Sequence, residues 1–349
     1  MPDYLPKVRQ DPFTLGVASG DPEPDSVVLW TRLTGAPDLP LTVRWQLSAD
    51  PAGTRVVRAG ETDALPEWGH SVHVEVDGLE PSTEYFFRFR HGRHLSLTGR
   101  TRTAPHPVAL EPLRLAVTSG DALPQPADLV LRLGEHRTAG GDPRERAMSL
   151  LTPAAQLARA SAPQVSVWGP GELAGEWVAA CRAYYEHQPL RAASRPDGGR
   201  MPIYRSLRWG RLLALRLVDT QQYRQTGSLL GAGQERWLAG ELSRRRPLWD
   251  VVAGHGSAAE LTGERLGALW RRARVDSPLV LRGGPGPAGT RQVAGAPELA
   301  PGTAGSVLCE VDELMWRAGF PGPGGPGNLT FPRQCAATAL SEGSPSSAW

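Results

Sequence analysis

The chain has 349 residues, 40% of them hydrophobic, which is room for two or three domains of roughly 100–200 residues each. Its 38 Lys+Arg against 36 Asp+Glu leave a net charge of +2, a balance that argues against a dedicated nucleic-acid binder or a protein of anionic membrane surfaces. No apolar run in the sequence is long enough to cross a bilayer.

Residues 1–10 contain neither an apolar signal core nor a twin arginine, so the expected location is the cytoplasm. Lys7 is the only lysine; with Ala, Gly and Pro also abundant, the arginine bias reads as GC-rich coding. From about 13 to 104 the pattern is all-β. Leu41–Leu47, His70–Val76 and Tyr85–Arg90 alternate in polarity, the period-two signature of half-buried antiparallel strands in a sandwich. His70 and His73 read as solvent-side strand residues on opposite faces. Tyr85 closes a Gly78-to-Tyr85 turn of the kind in which a tyrosine hydroxyl pins a sandwich corner.

Thr103 to Pro112 holds three prolines and reads as a linker. Beyond it, short apolar strands are predicted at Leu113–Val117, Leu129–Leu133, Val165–Trp168, Leu212–Val218, Val251–Ala253 and Leu279–Leu281. Between them, Trp177, Ala180, Cys181, Tyr184 and Gln188 follow one helical face, as do Leu266, Leu269, Trp270 and Ala273. Buried strands alternating with amphipathic helices predict a layered α/β domain, and the aromatic stripes read as core. From Gly319 the sequence is dominated by Gly and Pro, which predicts a disordered tail over 317–349. Cys181, Cys309 and Cys335 form no CxxC pair and are odd in number, so reduced thiols are expected.

Several blocks, in order, resemble the PhoD-type alkaline phosphatases. They are Phe13-Thr14-Leu15-Gly16-Val17-Ala18-Ser19-Gly20-Asp21-Pro22 with Val27-Val28-Leu29-Trp30-Thr31-Arg32, then Ala183-Tyr184-Tyr185-Glu186-His187-Gln188-Pro189-Leu190-Arg191, then Val218-Asp219-Thr220-Gln221-Gln222-Tyr223-Arg224, and Leu230-Gly231-Ala232-Gly233-Gln234-Glu235-Arg236-Trp237-Leu238. The resemblance implies an α+β multidomain chain: a fibronectin/Ig-like β-sandwich over 13–104 and an α/β/β/α metallophosphoesterase-like domain over 113–316. It also implies a cluster of iron and calcium ions, held by carboxylate, thiolate, phenolate and imidazole groups at strand ends, that polarises phosphate and lowers the pKa of bound water.

The ligand blocks depart from that pattern. Gly120 stands where the family has a ligand Cys, Glu135 and His136 replace an Asp and a Tyr, and Gly169-Pro170-Gly171 replaces Asp-Asp-His before Glu172. Gly284 and Gly286 replace an Asp and a His, and Gln221 replaces an Arg. Gly and Pro carry no side-chain donor, so the family's cluster is expected to be lost and no metal or other cofactor is expected. The polar residues remaining at these positions are Asp121, Glu135, His136, Glu172 and Asp219, with Gln221, Arg224 and His255 as candidate pocket residues. Glu135, His136 and Asp121 are the candidates for acid/base chemistry; read blandly, the same residues are solvated loop positions and Asp219 a structural acceptor. Three functions follow: a pseudophosphatase that binds a small molecule or a protein, a metal-independent enzyme performing isomerisation, cyclisation or elimination, or a residual phosphoesterase. No nucleic-acid or membrane partner is expected.

Overall fold

The computed structural model describes residues 10–120, 126–134, 144, 152–170, 176–244, 247–256, 264–284, 286–293, 296–303, 305–320 and 327–333. Two large sheets face each other. The first has nine strands in the order β20-β19-β18-β9-β10-β11-β1-β2-β5. Its centre is three parallel strands, β9 (Leu113–Thr118), β10 (Leu129–Leu133) and β11 (Gln164–Val167). The second has six, β12-β13-β14-β15-β17-β16, with β13 (Leu213–Leu217), β14 (Trp249–His255) and β15 (Pro278–Gly283) parallel at its centre. Strands buried on both faces lose the polar alternation of a half-exposed strand, and β10, β13 and β14 are buried at every residue.

Period two decides which residues meet between the sheets. Leu115 and Val117, Leu129, Leu131 and Leu133, and Val165 and Val167 point inward from the first sheet. They form one core with Leu213, Leu215 and Leu217, Val251 and Ala253, and Leu279 and Leu281 from the second. The alternate residues Val252 and Val280 face outward with Val218. There they receive α3 (Gly231–Leu242) through Leu238 and Leu242, and α4 (Glu264–Ala273) through Leu266 and Trp270. Two helices precede these in the chain. Thr152 caps α1 (Pro153–Ala160), accepting from Ala155 N at 3.2 Å with Pro153 in the first turn. The helix α2 (Trp177–His187) lies across β2 (Ser26–Arg32), and Trp30 donates its indole N–H to Glu186 O at 3.1 Å. No helix among the described residues is long and apolar enough to cross a membrane.

Residues 13–104 do not close on themselves. β1 (Val17–Gly20), β2 and β5 (Ser71–Asp77) continue the nine-stranded sheet, because β1 pairs in parallel with β11 at Gly20 and Gln164. Facing them is a third sheet of β3 (Leu41–Ser48), β4 (Val56–Ala64), β6 (Glu84–His91) and β7 (His94–Leu95), with β8 (Gly99–Arg102) paired to β6. Val17, Val27, Leu29, Val72 and Val74 pack against Val43, Leu47, Tyr85, Phe87 and Phe89 in the core between these layers. The Tyr85 hydroxyl accepts from Glu80 N at 3.0 Å and fixes the turn before β6.

Two expectations are corrected. His70 precedes β5 and is buried, with a ring nitrogen 3.1 Å from Leu39 O. His73 faces α2 rather than solvent. Its ring stacks on Tyr185 at 4.2 Å, its Nδ1 lies 3.1 Å from Leu190 O, and burial pushes its pKa down to about 4. Alternation marked two faces of β5; the Val72 face is buried, and the other is covered at Ser71 and partly at His73 but exposed at Glu75 and Asp77. The predicted tail also begins too early. β18 (Ser306–Val311) pairs with β9, β19 (Met315–Gly319) with β18, and β20 (Asn328–Pro332) with β19, so the described part of 317–349 is largely strand. Trp316 and Phe331 tie this edge to the core. The remaining strands of the second sheet are β12 (Arg205–Trp209), β16 (Gly289–Val293) and β17 (Ala296–Ala300).

Candidate functional site

In open α/β sheets, ligands bind beyond the carboxyl ends of the parallel strands. Here those ends come together. A Cβ added to Gly134, after β10, would lie 2.6 Å from His255 Cδ2 and 2.9 Å from Gly169 N. One added to Gly169, after β11, would lie 2.8 Å from His255 Cδ2 and 2.9 Å from Nε2. One added to Gly283, at the end of β15, would fall 2.0 Å from Leu133 O. The His255 ring, at the end of β14 and 2% exposed, therefore occupies the space between β10 and β11.

Asp219 follows β13 and is 1% exposed. Its Oδ1 accepts from Trp168 Nε1 at 2.9 Å, Gln221 N at 2.8 Å and Gln222 N at 3.2 Å, and its Oδ2 accepts from Gln222 Nε2 at 2.6 Å. The backbone of the same residue is bracketed by Gln234 of α3, which accepts from Asp219 N and donates to Asp219 O, both at 2.7 Å. Gln222 also donates to Met201 O at 2.6 Å and accepts from Met201 N at 2.9 Å. Thr220 donates its hydroxyl to His255 O at 2.6 Å. Asp219 thus joins the ends of β11 and β13 to the loop before β12, and Thr220 joins β13 to β14. Beside it, burial and then the Asp219 charge push the Cys181 thiol up to about 12. Burial and the same carboxylate also raise the Tyr223 phenol, which meets Tyr204 edge-on at 5.4 Å.

The structure brings His255, Asp219 and Gln221 to the strand ends. Gln221 Nε2 donates to Thr220 Oγ1 at 2.9 Å, turned back onto the loop. Arg224 is exposed. Asp121, Glu135, His136 and Glu172 lie outside the described residues. Sequence reasoning missed Trp168, Gln222 and Gln234 as partners of Asp219. Gln222 and Gln234 sit in the blocks that carry the family resemblance; Gln222 is three residues from Asp219, within reach of a local turn, whereas Gln234 and Trp168 lie 15 and 51 residues away and leave no local spacing to read.

The donor set decides whether the family's iron and calcium would fit. Gly120 offers a carbonyl that already accepts from Thr118 Oγ1 at 2.9 Å and Arg132 Nη1 at 3.3 Å. Gly169 and Gly284 offer no side chain, and any side chain at Gly169 would collide with His255. Among the described residues, no group of three or more His, Cys, Asp or Glu is placed to hold a metal ion. The described residues do not fit the cluster.

Two family models match the chain: the PhoD-like phosphatase N-terminal domain over residues 3–105 and the PhoD-like phosphatase domain over 159–276. Alkaline phosphatase D of Bacillus subtilis (strain 168) is 33% identical over 328 aligned residues, covering 71% of this chain. The chain spans about half, 56%, of the length of that relative. A solved structure of PhoD superposes with a TM-score of 0.81 at 25% identity, covering 94% of this chain and 90% of the other. The purple acid phosphatase PPD1 from yellow lupin (Lupinus luteus) seeds shares the fold at TM-score 0.64 and 13% identity, covering 93% and 77%. With both domain models matched in order and the fold shared along almost its whole length, the chain belongs to the PhoD-like phosphatase family.

Proposed function

We propose that this chain is a pseudophosphatase, a PhoD-like protein whose strand-end cleft serves as a binding site for a small molecule or a protein partner. One observation carries the reading: the His255 ring packs against Gly134 and Gly169, in the space where side chains of a metal cluster would rise. Asp219, the one described residue among the five polar residues remaining at the family's site positions, is committed to four donors of its own chain, which leaves it poorly disposed to hold a cation. Residues 13–104, with their pinned Tyr85 and facing layers, are read as a fibronectin/Ig-like sandwich serving as a side wall of the phosphatase domain from 113 onward.

The test is elemental analysis of protein purified without chelator, with a phosphodiesterase and phosphomonoesterase assay on the same sample. The expected outcome is iron and calcium far below one per chain and no turnover. Stoichiometric metal with turnover would overturn the reading and return the ordinary family activity. Turnover that survives chelator, and falls in His136→Ala and Glu135→Gln, would instead favour metal-independent acid/base chemistry.

A further inference from the structure

The outward face of the third sheet carries positive charge that the fold does not use. Across the β3–β6 ladder Arg44 stands directly opposite Arg90, and Gln46 opposite Arg88. Directly opposed residues share a face with Cβ atoms about 5 Å apart, and like charges there oppose folding. Arg44 turns to β4 and pairs with Glu61 at 2.7 Å. Arg90 donates Nε only to the carbonyl of Gly92, at 3.1 Å. Arg88 Nε is buried with no acceptor. Arg88, Arg90 and Arg93 have no carboxylate partner among the described residues. These four arginines line one concavity of about 680 Å³, with Glu61 its one acidic residue.

We propose that this concavity binds a soluble oligophosphate, with Arg88, Arg90 and Arg93 gripping adjacent phosphates. A guanidinium is a planar fork that matches two phosphate oxygens at once. Arg88 and Arg90 are two residues apart on one face, a separation of about 6.7 Å along the strand, which suits neighbouring anions better than a single one. The positive strip is also short. On one side the next row of the sheet carries Thr42 opposite Asp63. On the other, β6 begins at Glu84, which pairs with Arg100. Acidic residues at both limits favour a compact ligand over a polymer, and the volume lies within the roughly 300–1,000 Å³ of small-molecule sites. The site is on a different sheet from the strand-end cleft and does not depend on how that cleft is read.

The experiment is titration calorimetry of the full chain at low salt with inorganic tripolyphosphate, orthophosphate and a short oligothymidylate, repeated on Arg88→Gln/Arg90→Gln. Tripolyphosphate should bind at one per chain, orthophosphate at least about tenfold more weakly. The double variant should weaken tripolyphosphate by at least about tenfold, the scale of one lost charged hydrogen bond. Its melting temperature should hold or rise, because the opposed arginines are relieved; a loss of binding with that melting point is not misfolding. No binding of tripolyphosphate, unchanged binding in the variant, or equal affinity for orthophosphate would each overturn the proposal. Tighter binding of the oligothymidylate at equal salt would assign the face to a polymer and overturn it as well.

Discussion

The filling of the strand-end space by His255 can be tested with one methyl group. In Gly169→Ala the new carbon would lie 2.8 Å from His255 Cδ2 and 2.9 Å from Nε2. The ring cannot retreat toward β10, because the Gly134 Cα side is equally close, with a Cβ position 2.6 Å from the same Cδ2. Gly169 is not in the left-handed region, so the substitution adds no backbone strain and the effect is steric alone. Overpacking of this kind costs about 1–3 kcal/mol. His255→Ala removes a buried ring and should cost on the order of 2 kcal/mol or more through the cavity left behind. In the double variant the methyl enters the vacated space, so the two costs should fail to add by about 1–3 kcal/mol. Urea denaturation reads all four proteins, with the midpoint shifting at constant slope. A Gly169→Ala protein within about 0.5 kcal/mol of wild type, the range of neutral surface changes, or strictly additive single costs, would refute the packing argument.

Two further outcomes follow from buried groups. The pKa values of His73 and His187 are pushed down to about 4 and about 3, each by burial first, with Arg32 adding to the effect at His187. In the unfolded chain both titrate near the ordinary 6.5, so below that pH the unfolded state binds more protons, and stability falls as pH drops from 6.5 toward 4 and 3. Between pH 7.5 and 5 each should remove about 2 kcal/mol; urea midpoints that stay level over this window would contradict the burial of both rings. Asp219→Asn replaces an acceptor of four hydrogen bonds with a group that must present N–H to one of them, so a loss of about 2–3 kcal/mol is expected. Thermal melting checks it, and an unshifted melting point would show that Asp219 does not hold the strand ends together.

The sequence made the strands legible wherever one period governed. Leu41–Leu47, Leu129–Leu133 and Leu279–Leu281 fall within β3, β10 and β15, because alternation or continuous burial leaves a local mark. It failed where long-range pairing decides. β20 follows a Gly/Pro-rich stretch and becomes a strand only because β19 offers an edge, with Trp316 and Phe331 directly opposed. His73 looked solvent-facing because β5 alternates, and only the crossing of α2 covers it. At the candidate site, the Gly and Pro substitutions were readable one by one. The packing of His255 was not, because it joins positions 134, 169 and 255 from three different strands.

Two sets of internal contacts hold the strand ends among the described residues. His255 fills volume between β10 and β11. Asp219, with Trp168, Gln222 and Gln234, cross-links β11, β13, the loop before β12 and α3 without any cation. A similar hub holds the N-terminal layers: Glu186, fully buried on α2, accepts from Arg144 at 2.6 Å and Arg182 at 3.1 Å, while Arg32 Nη1 lies 2.5 Å from the His187 ring. A carboxylate buried among guanidinium groups is tolerated only when its hydrogen bonds are made. These contacts are internal, so the fold should stand without the cluster, and chelator should leave its melting point in place.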